Sequence, residues 1–347
     1  MAEMTVFLPL SVHSIDDLGD DELALIRHRI VESMDWDDVD FAAGDPPYNL
    51  SVCTVMTSDW YIDARSNRTV SGAADRVVEW IEFHLEVGFE HFVIFDNSHS
   101  RCGEGECSAL HDVLRQYISA HSVTYIYWPT PLCDVWFEGL SAWRRWGPQI
   151  AAFNSCIGRF GATTKWMALH DVDEFLAPIH SRFESVQQIL DDVERRMDLD
   201  DAANGGGPNG RSSFEAVNSI GFVQRLLMNC TDLKDVDRGE YEHRSKMVSL
   251  WSRYQCMFRT LEPKNKKLLI RPLRTRSILI HFPTYFYPGF VAEEYLLNAT
   301  TEAVMFHARS NTVFAKNDYY VLPPDHNLLY WLDRLHSRLA TQRLSGH

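Results

Sequence analysis

The segment Asp171-Val172-Asp173-Glu174 places three carboxylates within four positions, directly after the apolar run Trp166-Met167-Ala168-Leu169-His170. Acidic side chains at i and i+2 can reach one cation together once the backbone turns. Hard divalent ions such as Mn2+ or Mg2+ prefer oxygen ligands and keep coordination positions open for phosphate oxygens. An ion held in this way neutralises the charge that develops on a diphosphate as it leaves a sugar. Asp173 is the leading direct metal ligand, and Asp171 is expected to share the ion or to hold a ribose through its hydroxyls. Glu174 is expected to fix the loop or bond a backbone amide. A solvated acidic turn is the alternative, but it needs neither the apolar lead nor the return to Phe175 and Leu176.

Ligands of α/β proteins gather at the carboxyl ends of strands, so the motif implies a sheet beneath it. Leu50 to Met56 reads as a first strand. A helix is predicted from Asp75 to Gly88, with Val77, Val78, Ile81 and Leu85 at helical spacing and Gly88 as the stop. Phe92 to Phe95 is a buried strand ending in Asp96-Asn97-Ser98; Ala109 to Ile118 is helical and Val123 to Tyr127 extended. A third helix runs from Pro148 to Phe160 with Ile150, Phe153, Ile157 and Phe160 on one face, leading into the strand Trp166 to His170. Asp200 to Ser213 reads as a surface loop around Asn204-Gly205-Gly206-Gly207-Pro208-Asn209-Gly210. Strand-like runs follow at Ile220 to Met228, Lys267 to Ile270 and Ile278 to Phe282. A helix-like tail after Leu296 is expected to pack Leu328, Leu329, Leu332 and Leu335 on the core. The expected organisation is an acidic helical appendage over residues 1–45, one α/β domain over 46–320, and a helical tail over 321–347 packing on that domain.

The chain of 347 residues carries 33 basic and 48 acidic side chains, a formal charge of −15. An acidic surface repels the phosphate backbone that nucleic-acid binders must neutralise, so nucleic acid is not an expected partner. No stretch approaches the ~20 apolar residues needed to cross a bilayer. Of the seven cysteines, Cys102 and Cys107 can close a small loop, while Cys156 is read as packing beneath the strand that carries the aspartates; fully reduced, buried cysteines are an equal alternative. Sequons at Asn49, Asn67, Asn229 and Asn298 lean toward a secretory lumen, with the cytoplasm as the alternative.

Several separated blocks resemble glycosyltransferase family 92 and its family-2-like relatives. They are Glu79-Trp80-Ile81-Glu82-Phe83-His84 with Gly88, Phe95-Asp96-Asn97-Ser98, Gln149-Ile150 with Asn154 and Cys156, and Trp166 through Leu176. Leu269-Ile270-Arg271-Pro272 followed by His281, and His307-Ala308-Arg309-Ser310 with Phe314 and Lys316, extend the resemblance over roughly Leu50 to Lys316. Ala308 stands where the family's last element carries Tyr, and Thr57-Ser58-Asp59-Trp60 with a polar insertion to Gly72 stands where an Asn-Glu pair is usual. The resemblance implies a GT-A fold: a mixed, mainly parallel sheet flanked by helices, with a Rossmann-like half that binds the nucleotide sugar and an acceptor-side half. It also implies a UDP-sugar donor, a Mn2+-type ion and inverting galactosyl transfer to a glycan or glycoconjugate, in the Golgi or another secretory lumen.

On that footing His281 is the expected third metal ligand, with His307 as the alternative and Arg309 bracing the diphosphate. Thr54, Asp96 and Asp171 are expected donor contacts. One of Asp232, Asp235, Asp237 and Glu240 is expected to be the general base that deprotonates the acceptor hydroxyl. Trp251, Tyr254, Tyr285 and Tyr287 are candidate sugar platforms, and Gln149 and Arg159 further donor contacts. Two other readings stay open: a protein of the same fold that binds carbohydrate or nucleotide without turnover, and a metal-dependent phosphohydrolase.

Overall fold

The structure is a computed structural model; it describes residues 46–56, 61–63, 68–70, 76–97, 109–128, 147–204, 212–228, 256–279, 283–288, 290, 293–308, 321–322 and 326–344. Strand β1 (Tyr48–Met56) is parallel to β4 (His91–Asp96) on one side and to β6 (Thr164–Leu169) on the other. β5 (Val123–Tyr127) continues the parallel set beyond β4. Leu50 through Thr54 and all of His91 through Asp96 are buried. Such unbroken burial belongs to strands covered on both faces. The covers are α1 (Val77–Glu86), α2 (Ala109–Ser119) and α3 (Gly147–Phe160). α1 buries Val77, Trp80, Ile81, Phe83 and His84, and ends before Gly88, whose φ of +98° is the left-handed conformation that glycine adopts without strain.

The second half of the sheet mixes directions. β9 (Cys256–Ile270) runs antiparallel to both β6 and β8 (Ser219–Met228). β13 (Ala303–Ala308) is parallel to β8, and β7 (Glu174–Pro178) closes the row antiparallel to β13. The order is β5-β4-β1-β6-β9-β8-β13-β7, with β12 (Glu294–Leu296) also on β8 and β14 (Val321–Leu322) on β9. The hairpins β2 (Tyr61–Asp63) with β3 (Arg68–Val70), and β10 (Thr275–Ile278) with β11 (Pro283–Phe286), stand apart from it.

This order forces curvature. β6 and β7 are sequence neighbours, yet β9, β8 and β13 lie between them. Four strand spacings in a flat sheet amount to roughly 19 Å, about what the five steps from Leu169 to Glu174 span when fully stretched. That linker is not stretched: the Glu174 amide donates to the Asp171 carbonyl at 3.0 Å, closing a turn. The mixed sheet therefore curls, and three strands come round to face the acidic turn.

Three findings differ from the sequence reading. Ala303–Ala308, inside the stretch after Leu296 that read as a helix-like tail, is strand β13, paired with β8 and β7. Val186–Ala203 forms α4, capped by the Ser185 hydroxyl, which accepts from the Gln188 amide, and burying Val186, Ile189, Leu190 and Val193. The loop expected from Asp200 thus starts later, and Ser213–Ala216 adds a helical turn, α5. Cys156 does not merely pack: it forms a disulfide with Cys53, because α3 lies on β1 with the two Cα atoms 6.5 Å apart, inside bridging range. Cys102 and Cys107 lie outside the described residues. Helix α6 (His326–Leu344) buries Leu328, Trp331, Leu332 and Leu335, while Leu329 is half-buried. Its Trp331 indole donates to the Pro178 carbonyl at 2.8 Å, and Arg334 and Arg338 pair with Glu86 and Glu82 of α1.

Candidate functional site

The acidic turn begins where β6 stops. Asp171 and Asp173 keep side chains 34% and 25% exposed, whereas Glu174 and Lys267 of β9 are 1% exposed. A lysine buried to that extent needs partners. Lys267 Nζ donates to Asp171 Oδ2 at 3.0 Å and stands 2.9 Å from Glu174 Oε2. Glu174 Oε2 also accepts the Asp171 amide at 2.9 Å, and Glu174 Oε1 accepts from Gln224 Nε2 of β8 at 2.8 Å. From α1, the Trp80 indole donates to the Glu174 carbonyl at 2.9 Å. From α3, Gln149 donates to Asp171 Oδ1.

β13 supplies the other side. His307 is the cross-strand partner of Glu174, and its Nε2 stands 3.4 Å from Asp173 Oδ2. Its Nδ1 lies 3.3 Å from Gln224 Oε1. The Ala308 amide donates to the Asp173 carbonyl at 2.8 Å, so the backbone itself docks the turn where the family's tyrosine is replaced.

Charge follows from this packing. Burial pushes the Asp173 carboxyl up, but the adjacent His307 imidazole, with Arg76 and Lys267 nearby, outweighs it and holds the group at about 2. Burial raises Glu174, and Lys267 offsets this only in part. Burial would lower Lys267, yet Asp171 and Glu174 drive it above the ordinary lysine value. Behind the turn, burial pushes His84 down to about 3 and His170 well below the ordinary histidine value, so both rings are neutral. His170 touches the rings of His84, Phe89 and Phe222.

The turn thus gathers Asp171, Asp173, Glu174, His307 and Gln149. His281, Arg309, Asp232, Asp235, Asp237, Glu240, Trp251 and Tyr254 lie outside the described residues. Thr54 and Asp96 are wholly buried, and Asp96 Oδ2 accepts from the Tyr125 hydroxyl at 2.5 Å. Tyr285 is 67% exposed on β11, and Arg159 lies over the Phe160 ring. Lys267, Gln224 and Arg76 were not singled out from sequence. For Gln224, a polar residue following Ile220-Gly221-Phe222-Val223 was the available signal, whereas Lys267 follows Lys264, Asn265 and Lys266 and nothing local set it apart. Among the described residues, no three His, Cys, Asp or Glu side chains form a ready cluster for a metal ion.

The sequence model of glycosyltransferase family 92 matches residues 69–327. The chain is similar to the beta-1,4-galactosyltransferase galt-1 of Caenorhabditis elegans, 27% identical over 172 residues, which are 48% of this chain and 34% of that protein. It is similar to a galactan beta-1,4-galactosyltransferase of Arabidopsis thaliana, 32% identical over 127 residues, 35% of this chain and 22% of that one. A glycosyltransferase family 92 protein of Oryza sativa subsp. japonica is 26% identical over 151 residues, 43% and 22% of the two chains. The matched stretches thus span about a third or less of these relatives.

Proposed function

Because this chain belongs to glycosyltransferase family 92, we propose that it moves a hexose, galactose first among the candidates, from a UDP-sugar to a hydroxyl of a glycan or glycoconjugate, with inversion and with a divalent cation. That it is a glycosyltransferase follows from the family; the galactosyltransferase names of two relatives favour galactose. The nucleotide-sugar half of a GT-A fold corresponds in this reading to the parallel strands β5-β4-β1-β6.

One observation carries the cation: Asp173 Oδ2 and His307 Nε2 face each other at 3.4 Å beside the half-exposed Asp171. Neighbouring ligands on an octahedral ion with bonds of about 2.1 Å stand roughly 3 Å apart, so an oxygen and an imidazole nitrogen at this spacing fit such an ion. When bound, Mn2+ or Mg2+ would stabilise the diphosphate as it departs. In this reading Asp173 and His307 hold the ion; His281, the other candidate nitrogen ligand, lies outside the described residues. Asp171 is oriented by Lys267 and Gln149 to bind the ribose or share the ion. Arg76 and Arg309 supply positive charge for the diphosphate, and the base belongs to the stretch Asp232 to Glu240.

The Cys53–Cys156 disulfide supports an oxidising secretory lumen, as does the sequon Asn298, exposed in a turn. No helix among the described residues is long and apolar enough to cross a membrane. The test is nucleotide release from a panel of sugar nucleotides with Mn2+ and no acceptor. Slow hydrolysis of one UDP-sugar, lost on Asp173→Ala, is the expected result; equal hydrolysis by wild type and variant would overturn the reading.

A further inference from the structure

We propose that Asn298 carries an N-linked glycan; this rests on the reading of a secretory lumen as the compartment. Two sequons fall among the described residues, Asn49-Leu50-Ser51 and Asn298-Ala299-Thr300. Modification brings a bulky transferase onto the Asn carboxamide and the hydroxyl two residues later, so a usable sequon lies on the surface. Asn49 is exposed, but Ser51 is 2% exposed inside β1, between β4 and β6. Asn298 and Thr300 are both exposed, in the turn that joins β12 to β13.

The turn also poses the reacting group. Asn298 Oδ1 accepts from the Thr300 amide at 2.9 Å and from the Thr300 hydroxyl at 2.7 Å. A backbone N–H can only donate, so the carboxamide oxygen is fixed on that side and the nitrogen faces away from the turn. The Asn298 carbonyl accepts the amides of Thr301, Glu302 and Ala303, and Glu302 Oε2 accepts the Asn298 amide at 2.7 Å. Each of these bonds joins residues no more than five positions apart, so the arrangement does not wait for the sheet to form. In the step itself, Asn298 Nδ2 attacks the anomeric carbon of an oligosaccharide carried on a polyprenyl diphosphate. A C–N bond forms, and the C–O bond to the diphosphate breaks. Its electron pair leaves with the diphosphate, and the amide nitrogen gives up one proton.

The fold has room for the product. β12 pairs with β8 alone among the described residues, and its Leu296 is 52% exposed, so the strand edge beside Asn298 is open. His307 lies towards the other end of β13, four positions beyond Ala303, or roughly 13 Å of strand. A glycan on Asn298 therefore stands clear of the acidic turn.

The test uses protein purified from the cells that make it. Its tryptic peptides are mapped by mass spectrometry before and after an amidase that releases N-glycans and converts the carrier Asn to Asp. The expected result is a glycan on the Asn298 peptide, lost in Thr300→Ala. A bare Asn298 in wild-type protein whose Cys53–Cys156 disulfide is formed overturns the proposal and leaves the lumen standing. A bare Asn298 with both of those cysteines reduced removes the lumen reading and the proposal with it. A glycan retained on Asn298 in Thr300→Ala overturns the sequon as its cause, and the wild-type map decides alone should that variant not fold.

Discussion

The two halves of the sheet use polar residues in opposite ways. In the parallel half β5-β4-β1-β6, the buried polar side chains inside β1 are the hydroxyls of Ser51 and Thr54, and the carboxylates sit at or beyond the strand ends, as with Asp96 on β4 and Asp171 after β6. In the half built from β9, β8, β13 and β7, buried polar side chains sit within the strands or at their first residue: Lys267, Gln224, His307 and Glu174. The first half is a scaffold that delivers an acidic turn; the second meets that turn with partners already bonded to one another. A site of this kind draws its precision from the curl of the sheet rather than from loops.

The contrast is sharpest at Lys267. Removing one member of a buried ion pair leaves the other uncompensated, so Lys267→Met is expected to cost about 3–5 kcal/mol, measured by chemical denaturation. A loss below about 1 kcal/mol would mean that the second half does not depend on its charges. Asp173→Ala should lower sugar transfer about 10²–10³-fold with a smaller loss of stability than Lys267→Met, since Asp173 is a quarter exposed; a loss of stability as large as that of Lys267→Met would blur the distinction.

Within the scaffold half, Cys53→Ser is expected to destabilise by about 2–4 kcal/mol, seen as an earlier urea midpoint with turnover per folded molecule retained. An effect of comparable size is on pH. His84 and His91 are held at about 3 and about 4, against 6.5 when unfolded, both mainly by burial. Between those values the unfolded chain binds protons that the folded one does not, so stability is full above pH 6.5 and lost as the pH falls. The slope is up to about 1.4 kcal/mol per pH unit for each histidine. Denaturation at pH 7 and pH 5 should show the loss in the wild type and a smaller one in His84→Phe; identical profiles would count against it.

Legibility in the sequence divides along the same line. Strands β1, β4, β5 and β6 and helices α1, α2 and α3 were readable because apolar runs alternate with helical spacing and Gly88 marks a stop. The turn was readable because three acids follow an apolar strand. Of the second half, only β8 and the end of β9 were glimpsed as strand-like runs, while the stretch that holds β13 read as helix-like, since pairing partners and curl are set by long-range contacts that no local period records. Helix α4 was missed although the signal was present: Val186, Ile189, Leu190 and Val193 stand at i, i+3, i+4 and i+7 behind the Ser185 cap. Gln224 and Lys267 became visible only once folding had carried them beside Glu174.

β7 leaves the ribosome immediately after the acidic turn, but its pairing strand, β13, begins at Ala303, roughly 125 residues later. At 5–20 residues per second, translation takes about 6–25 s to cover that interval. Throughout it, an apolar strand waits with open hydrogen-bonding groups, available to any other extended segment nearby. Yield of this protein during synthesis should therefore be governed less by how stable the finished molecule is than by what shields Phe175, Leu176 and Ala177 until their neighbour has been made.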